Sequence, residues 1–132
     1  MKRIAVLFSL AAVFAASVAW MQTQPRFTGA SVTMDGKDLS VARRHFEPGA
    51  RTYWHSHDNG QLLLVEKGRM RTQKRGQSVR ELGAGESDYT APNVQHWHGA
   101  TPNEELVQIN VGFSGGTKWL EEVTTAQYNA GK

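Results

Sequence analysis

The sequence predicts an all-β domain, a sandwich or a small barrel, with one short helix near the C-terminus. Eight or more short stretches of strand character are separated by Gly, Pro, Asn and Asp turns at regular spacing, the pattern of a sheet folded on itself. Only Thr117 to Tyr128 has a helical pattern. His55 and His57, and again His96 and His98, stand two residues apart in strand-like stretches, which directs both members of each pair to one face.

At 132 residues, without a repeat or an internal linker, the chain has room for one domain and a modest core. Its front end has a different character. Lys2 and Arg3 precede a nearly unbroken apolar run from Ile4 to Phe14, followed by small residues through Ala19. This is the layout of a secretory signal peptide, and the apolar run falls short of the roughly 20 residues of a membrane span. The expected organisation is a signal peptide over residues 1–19, a flexible lead-in over 20–26 and a folded domain over 27–132. The mature protein is expected to be exported, in the periplasm, with no membrane association after signal cleavage.

Within the domain, Ala30 to Met34 is the first strand candidate and ends at the turn dipeptide Asp35-Gly36. Leu39 to Glu47 alternates in part, with Leu39, Val41 and His45 on one side and Arg44 and Phe46 on the other. Pro48-Gly49 turns the chain into a strand from Thr52 to His57. Gln61 to Glu66 carries Leu62, Leu63, Leu64 and Val65 in succession, which suits a strand buried on both faces, and Gly68 is expected to close its hairpin. Arg69 to Arg75 and Gln77 to Leu82 are mostly polar around Gly76, a solvent-facing hairpin. Gly83-Ala84-Gly85 is a turn, Glu86 to Thr90 a strand and Ala91-Pro92-Asn93 another turn. His96 to Ala100 and Leu106 to Phe113 complete the β portion. The Thr117 to Tyr128 helix carries Trp119, Leu120 and Val123 on one side, with Glu121 and Glu122 near its start, where the helix dipole favours acids.

The formal charge of +3 includes Lys2 and Arg3, so the chain without its first nineteen residues is near +1, with 13 bases against 12 acids. The basic cluster Arg69, Arg71, Lys74, Arg75 and Arg80 is interrupted by polar and acidic residues. Both features argue for a solvated hairpin and against a nucleic-acid partner. With no cysteine, disulfides, thiolate catalysis, iron–sulfur clusters and cysteine-type zinc sites are excluded.

Gln61 follows the Asp58-Asn59-Gly60 turn, from which its amide can swing back toward His55 and His57. With an imidazole from the second histidine cluster, these residues make a set of three nitrogens and one oxygen, all neutral. Such donors suit manganese, iron, cobalt, nickel or zinc. A site without a carboxylate keeps the full charge of a divalent ion, which strengthens its pull on an anion or a bound hydroxyl.

Gly49, His55, His57, Gln61 and Gly68, at their spacing here, resemble the first motif of the cupins, with Gln61 in the usual Glu position. Ala91 to His96 is similar to the second motif, with Ala91 standing for its Pro and Asn93 for its Gly. The resemblance covers most of Phe27 to Tyr128 and implies a double-stranded β-helix, a jelly-roll barrel with a metal in its mouth. A narrower likeness lies in Phe46 to Thr52, Trp54-His55, Gly60-Gln61, His96 to Ala100 and the Trp119 to Tyr128 segment. These resemble the small bacterial cupins that include manganese-dependent hydroxynitrile lyases, which cleave (R)-mandelonitrile to benzaldehyde and cyanide.

By that resemblance the metal ligands are His55, His57, Gln61 and His96, manganese is the favoured metal, and the partner is a small-molecule substrate. His98 becomes a candidate base and Thr52 a hydrogen-bond donor to substrate oxygen. Gln108 stands where relatives commonly carry a pocket histidine; it can donate and accept hydrogen bonds but cannot remove a proton near neutral pH. Trp54 and Trp97 flank ligands, so each points to the opposite face, toward barrel packing or subunit contact. Thr52 and Tyr53 are adjacent, so a regular strand cannot turn both toward the metal. The leading reading is a metal-dependent lyase of the hydroxynitrile type. A quercetinase-like dioxygenase and a non-catalytic periplasmic binding module are the alternatives, and the edges of so small a barrel lead us to expect a homodimer or homotetramer.

Overall fold

The computed structural model describes Thr28 and residues 30–130, in two units that meet at Asp35 and Gly36. The expected signal peptide and lead-in lie outside the described residues. In the first unit the strand expected at Ala30 to Met34 does not form. Val32 and Met34 are 85% and 86% exposed, so its apolar alternation has no surface to bury against.

Among its described residues the second unit contains eight strands and one helix: β1 Ser40–Phe46, β2 His55–His57, β3 Gln61–Lys74, β4 Arg80–Gly83, β5 Ser87–Thr90, β6 His96–Ala100, β7 Leu106–Gly112, β8 Thr117–Trp119 and α1 Thr125–Asn129. All pairings are antiparallel, in the order β1-β7-β3-β6-β2-β8, with β4 and β5 also on β3. β3 is the spine. Its first half pairs with β5 and β7, and its second half with β4 and β6, so one long strand is shared between the two halves of a curled jelly-roll sheet.

This corrects the role expected of Gly68. No hairpin closes there; the chain runs on through a register shift between Val65 and Lys67. Gly68 has φ of 79°, and a Cβ at this position would collide with the carbonyl oxygen of Glu105. Glycine is required because the backbone bends and a neighbouring strand crosses against it. The leucine run is also not buried on both faces: Leu63 and Val65 are buried while Leu64 is 37% exposed. The β3–β4 hairpin around Gly76 forms, yet it is not wholly solvent-facing, because Met70, Arg71, Thr72 and Leu82 are buried. Four of its five cations are paired: Arg71 with Glu81, Lys74 and Arg80 with Asp88, and Arg75 with Glu121.

The long helix expected over Thr117 to Tyr128 is replaced by β8, an extended segment and five residues of α1. Backbone bonding explains the change. β8 pairs with β2, and Trp54 and the chain at Leu120 and Glu121 exchange N–H···O bonds of 2.8 and 3.0 Å, which holds those residues extended. Helix begins only after Thr124, whose hydroxyl accepts from Gln127 N–H while the Gln127 side chain accepts from Thr124 N–H, a capping box.

Two apolar clusters result. Leu63, Val65, Met70, Leu82, Ala100 and Leu106, with Phe46 against them, form one. Trp54, Trp97, Val123 and Tyr128 form the other, so Trp54 and Trp97 pack away from the histidines.

Candidate metal centre

β2 and β6 pair with His55 opposite His96, and strand alternation puts His57 and His98 on the same side. The turn at Asp58 and Asn59 then returns the chain to Gln61 at the start of β3. Gly60 permits that approach, since a Cβ would lie 2.6 Å from the Thr90 carbonyl oxygen. Asn93 has φ of 61°, and its N–H bonds to the His57 carbonyl at 2.8 Å. Asparagine tolerates this left-handed conformation, which accounts for its place where the resembling motif has glycine.

The imidazoles converge. Ring centroids are 4.3 Å apart for His55 and His96, 5.1 Å for His55 and His57, 5.5 Å for His57 and His96, and 5.3 Å for His55 and His98. Potential ligand atoms of His55, His96 and His98 lie within 4.8 Å of one another. Gln61 Oε1 is 3.1 Å from His96 Nε2.

Hydrogen bonds sort these rings. Nδ1–H of His55 donates to the Tyr53 carbonyl at 2.9 Å and that of His96 to the Val94 carbonyl at 3.1 Å, so each keeps its lone pair on Nε2. Nδ1 of His57 lies 3.0 Å from the Thr117 hydroxyl, which can donate or accept. For His96 the Nε2 lone pair faces the oxygen of Gln61, two acceptors in contact; Nε2 of His57 is buried with no hydrogen-bond partner. A cation relieves both arrangements, so the donor set fits a divalent metal. Burial also keeps the rings neutral, as ligation requires: it lowers the pKa of His55 to about 4 and of His96 to about 3, and lowers that of His57.

His98 is held differently. The Gln108 amide nitrogen donates to its Nδ1 at 3.0 Å, which places the proton on Nε2. Gln108 is fully buried, its nitrogen also bonds Asn110 Oδ1 at 2.6 Å, and its own Oε1 has no partner. A half-turn of that amide would set Oε1 against an Nδ1–H and move the lone pair of His98 to Nε2. Glutamine is thus able to support either tautomer. Burial, ahead of the neighbouring imidazoles, holds the pKa of His98 well below its usual range. The Thr52 hydroxyl accepts from the His98 backbone N–H at 3.2 Å, and Thr52 N–H donates to the His98 carbonyl at 2.9 Å.

These groups surround a cavity of about 670 Å³ whose walls include Arg44, Phe46, Thr52, Tyr53, Asn110 and Trp119. All seven residues singled out from the sequence, His55, His57, Gln61, His96, His98, Thr52 and Gln108, gather at it or directly behind it. Thr52 and Tyr53 both line it; strand geometry begins only at His55, so alternation does not reach them. Sequence reasoning missed Trp119, which lies 4.8 Å from the His55 ring and is 61% exposed, since it was assigned to a helix. It also missed Arg44 and Asn110, which the alternation of Ser40, Ala42, Arg44 and Phe46, and of Gln108 with Asn110, could have revealed.

Comparison with known proteins agrees with this geometry. The family model for the cupin domain matches residues 42–112. A protein of Granulicella tundricola named (R)-mandelonitrile lyase is 40% identical over 86 residues, covering 63% of this chain and 66% of its own; the chain spans just under two thirds of that relative. A solved cupin-like protein from Thermotoga maritima is 46% identical with a TM-score of 0.67, over 69% of this chain and 71% of the other. A double-stranded β-helix protein from Klebsiella pneumoniae, 24% identical with a TM-score of 0.58 over 70% and 83% of the two chains, shares the fold.

Proposed function

This chain belongs to the cupin family, and on that premise we propose that it is a metal-dependent lyase of the hydroxynitrile type, cleaving a small cyanohydrin to an aldehyde and cyanide. The observation that carries the reading is the convergence of the His55, His57 and His96 rings and the Gln61 oxygen beside His98 and Thr52. The likeness to the protein named mandelonitrile lyase supports the choice of reaction.

His55, His57, Gln61 and His96 would hold the metal, with manganese favoured. When bound, the metal supplies Lewis acidity toward the substrate hydroxyl, making its proton easier to remove. The Thr52 oxygen already accepts from the His98 backbone, so its own O–H is the group left to donate to that substrate oxygen and orient it. With the Gln108 amide turned so that Oε1 accepts from Nδ1–H, the reverse of the orientation in which its nitrogen donates to Nδ1, His98 would take the hydroxyl proton on Nε2. The electron pair of the breaking carbon–carbon bond leaves with cyanide, and the carbinol carbon becomes a carbonyl. A buried imidazole that resists protonation passes the proton on to the departing cyanide, which completes the cycle. Phe46 and Trp119 in the cavity wall offer apolar surface to the organic part of the substrate.

The test is benzaldehyde release from (R)-mandelonitrile by manganese-loaded protein against a chelator-treated sample. Release that depends on metal, and falls by roughly 100-fold or more in His98→Ala, is expected. Full turnover in His98→Ala would remove the base assignment. Oxygen uptake with an enolic substrate, and no aldehyde from mandelonitrile, would move the protein to the dioxygenase reading.

A further inference from the structure

On β1 the cavity is lined by Ser40, Val41, Ala42, Arg44 and Phe46, whereas Arg43 and His45 point outward to Glu66 and Glu105. Arg44 is a solvent-exposed cation in the cavity wall. Among the described residues it makes no hydrogen bond or ion pair. The other arginine of the wall, Arg51, is committed: its guanidinium donates to the carbonyls of Val123 and Gly49 and covers the Tyr128 ring.

Among the described residues, no Asp or Glu lines the cavity. Asp58, whose charge reaches His57, is tied to the Gly116 N–H at 2.7 Å and stands outside the lining. The candidate ligands are neutral, so nothing in the wall offsets Arg44 or a bound divalent ion. A concave site lined by one sign of charge favours an oppositely charged ligand. Register places Arg44 opposite Gln108 and Ala42 opposite Asn110 on β7, so Arg44 and Asn110 are diagonal neighbours on the inner face. With the Gln108 nitrogen on His98 and Asn110, as it stands before any substrate binds, Asn110 Oδ1 is taken, which leaves its N–H groups to donate.

We propose that Arg44 and the amide of Asn110 form an anion subsite beside the metal centre, and that the physiological substrate is a small molecule bearing a carboxylate. The guanidinium fork matches a carboxylate in geometry and charge, and the cavity volume is that of a small-molecule site. This rests on the reading of the cavity as the substrate site and does not depend on cyanide being the leaving group.

Mandelate and mandelamide, nearly the same in shape and differing in charge, are the probes. Their affinities are measured by titration calorimetry on the full chain, manganese-loaded and metal-free, for the wild type, Arg44→Gln and Arg44→Lys. The metal-free arm separates attraction by Arg44 from attraction by the ion. Mandelate should bind more tightly than mandelamide in both forms. Arg44→Gln should reduce that preference by roughly tenfold, and Arg44→Lys should retain part of it. Equal affinity for the two probes, no measurable binding of mandelate, or a preference undiminished in Arg44→Gln overturns the subsite. Absence of benzaldehyde release would overturn the lyase reading alone.

Discussion

The mouth and the floor of the barrel are built from the same strands and differ by one step of alternation. Along the inner face of β6 the residues run His96, His98, Ala100; along β7 they run Asn110, Gln108, Leu106; along β3, Gln61, Leu63, Val65. Each strand changes from polar to apolar along this face, though not in one row, since Leu63 stands opposite Asn110 and Val65 opposite Gln108. On the apolar side of that change, Leu63, Val65, Ala100 and Leu106 pack into one cluster with Met70 and Leu82. On the polar side, buried imidazoles and amides contact one another and leave acceptors unpaired. The floor gains stability from burial, and the mouth gives some up to hold groups ready for a cation and a substrate.

If that division is right, changes in the mouth alter metal content, and changes in the floor alter stability. The largest effect is expected from His96→Ala, which removes the ligand set against Gln61 Oε1. Bound manganese per chain, read by elemental analysis, should fall toward zero, with turnover down by more than about 100-fold. Retention of a full equivalent of metal would break the ligand assignment. Next is Leu63→Ala in the floor, expected to lower unfolding stability by about 2–5 kcal/mol, measured by urea denaturation, while the folded protein keeps its metal stoichiometry. Loss of metal without loss of stability would show that the two regions are not separable.

The smallest effect concerns pH in the metal-free protein. His55 and His96 have pKa values lowered to about 4 and about 3 by burial, below the 6.5 of the unfolded chain. The unfolded state therefore binds more protons in this interval. Stability from this source is complete above pH 6.5 and is lost as pH falls through 4 and 3. The melting temperature of chelator-treated protein should drop over that range, and the drop should be shallower in His96→Gln. Leu63→Ala should lower the whole curve without changing its slope, because the floor cluster carries no titratable group. A pH-independent wild-type curve would contradict the burial of neutral imidazoles.

Much of the β portion was legible because alternation and turn residues are local signals. The strand at Ser40–Phe46, the turn before Gln61 and the strands around His96 and Leu106 stand where the spacing predicts them. The histidine pairs were legible for the same reason, since two residues along a strand restore the same face. Gly68 was misread because its signature, a glycine after an apolar run, is shared by a hairpin and by a bend against a crossing strand. Only the presence of the Glu105 carbonyl distinguishes them. Trp119 was misplaced because its helical spacing with Val123 carries no information about β2, which offers β8 an open edge.

The amino-acid order carried the all-β class, the faces of the four pocket histidines and the neutral donor set, all consequences of periodicity and side-chain chemistry within a few residues. Tertiary contact assigned the separate roles: His98 takes a donor from Gln108, whereas His55 and His96 each give a proton to a backbone carbonyl and keep Nε2 open. It also turned Arg44 into a cavity cation, because which face of β1 lies inward depends on its pairing with β7. Those distinctions arise between strands far apart in the chain, where spacing along the sequence exerts no force.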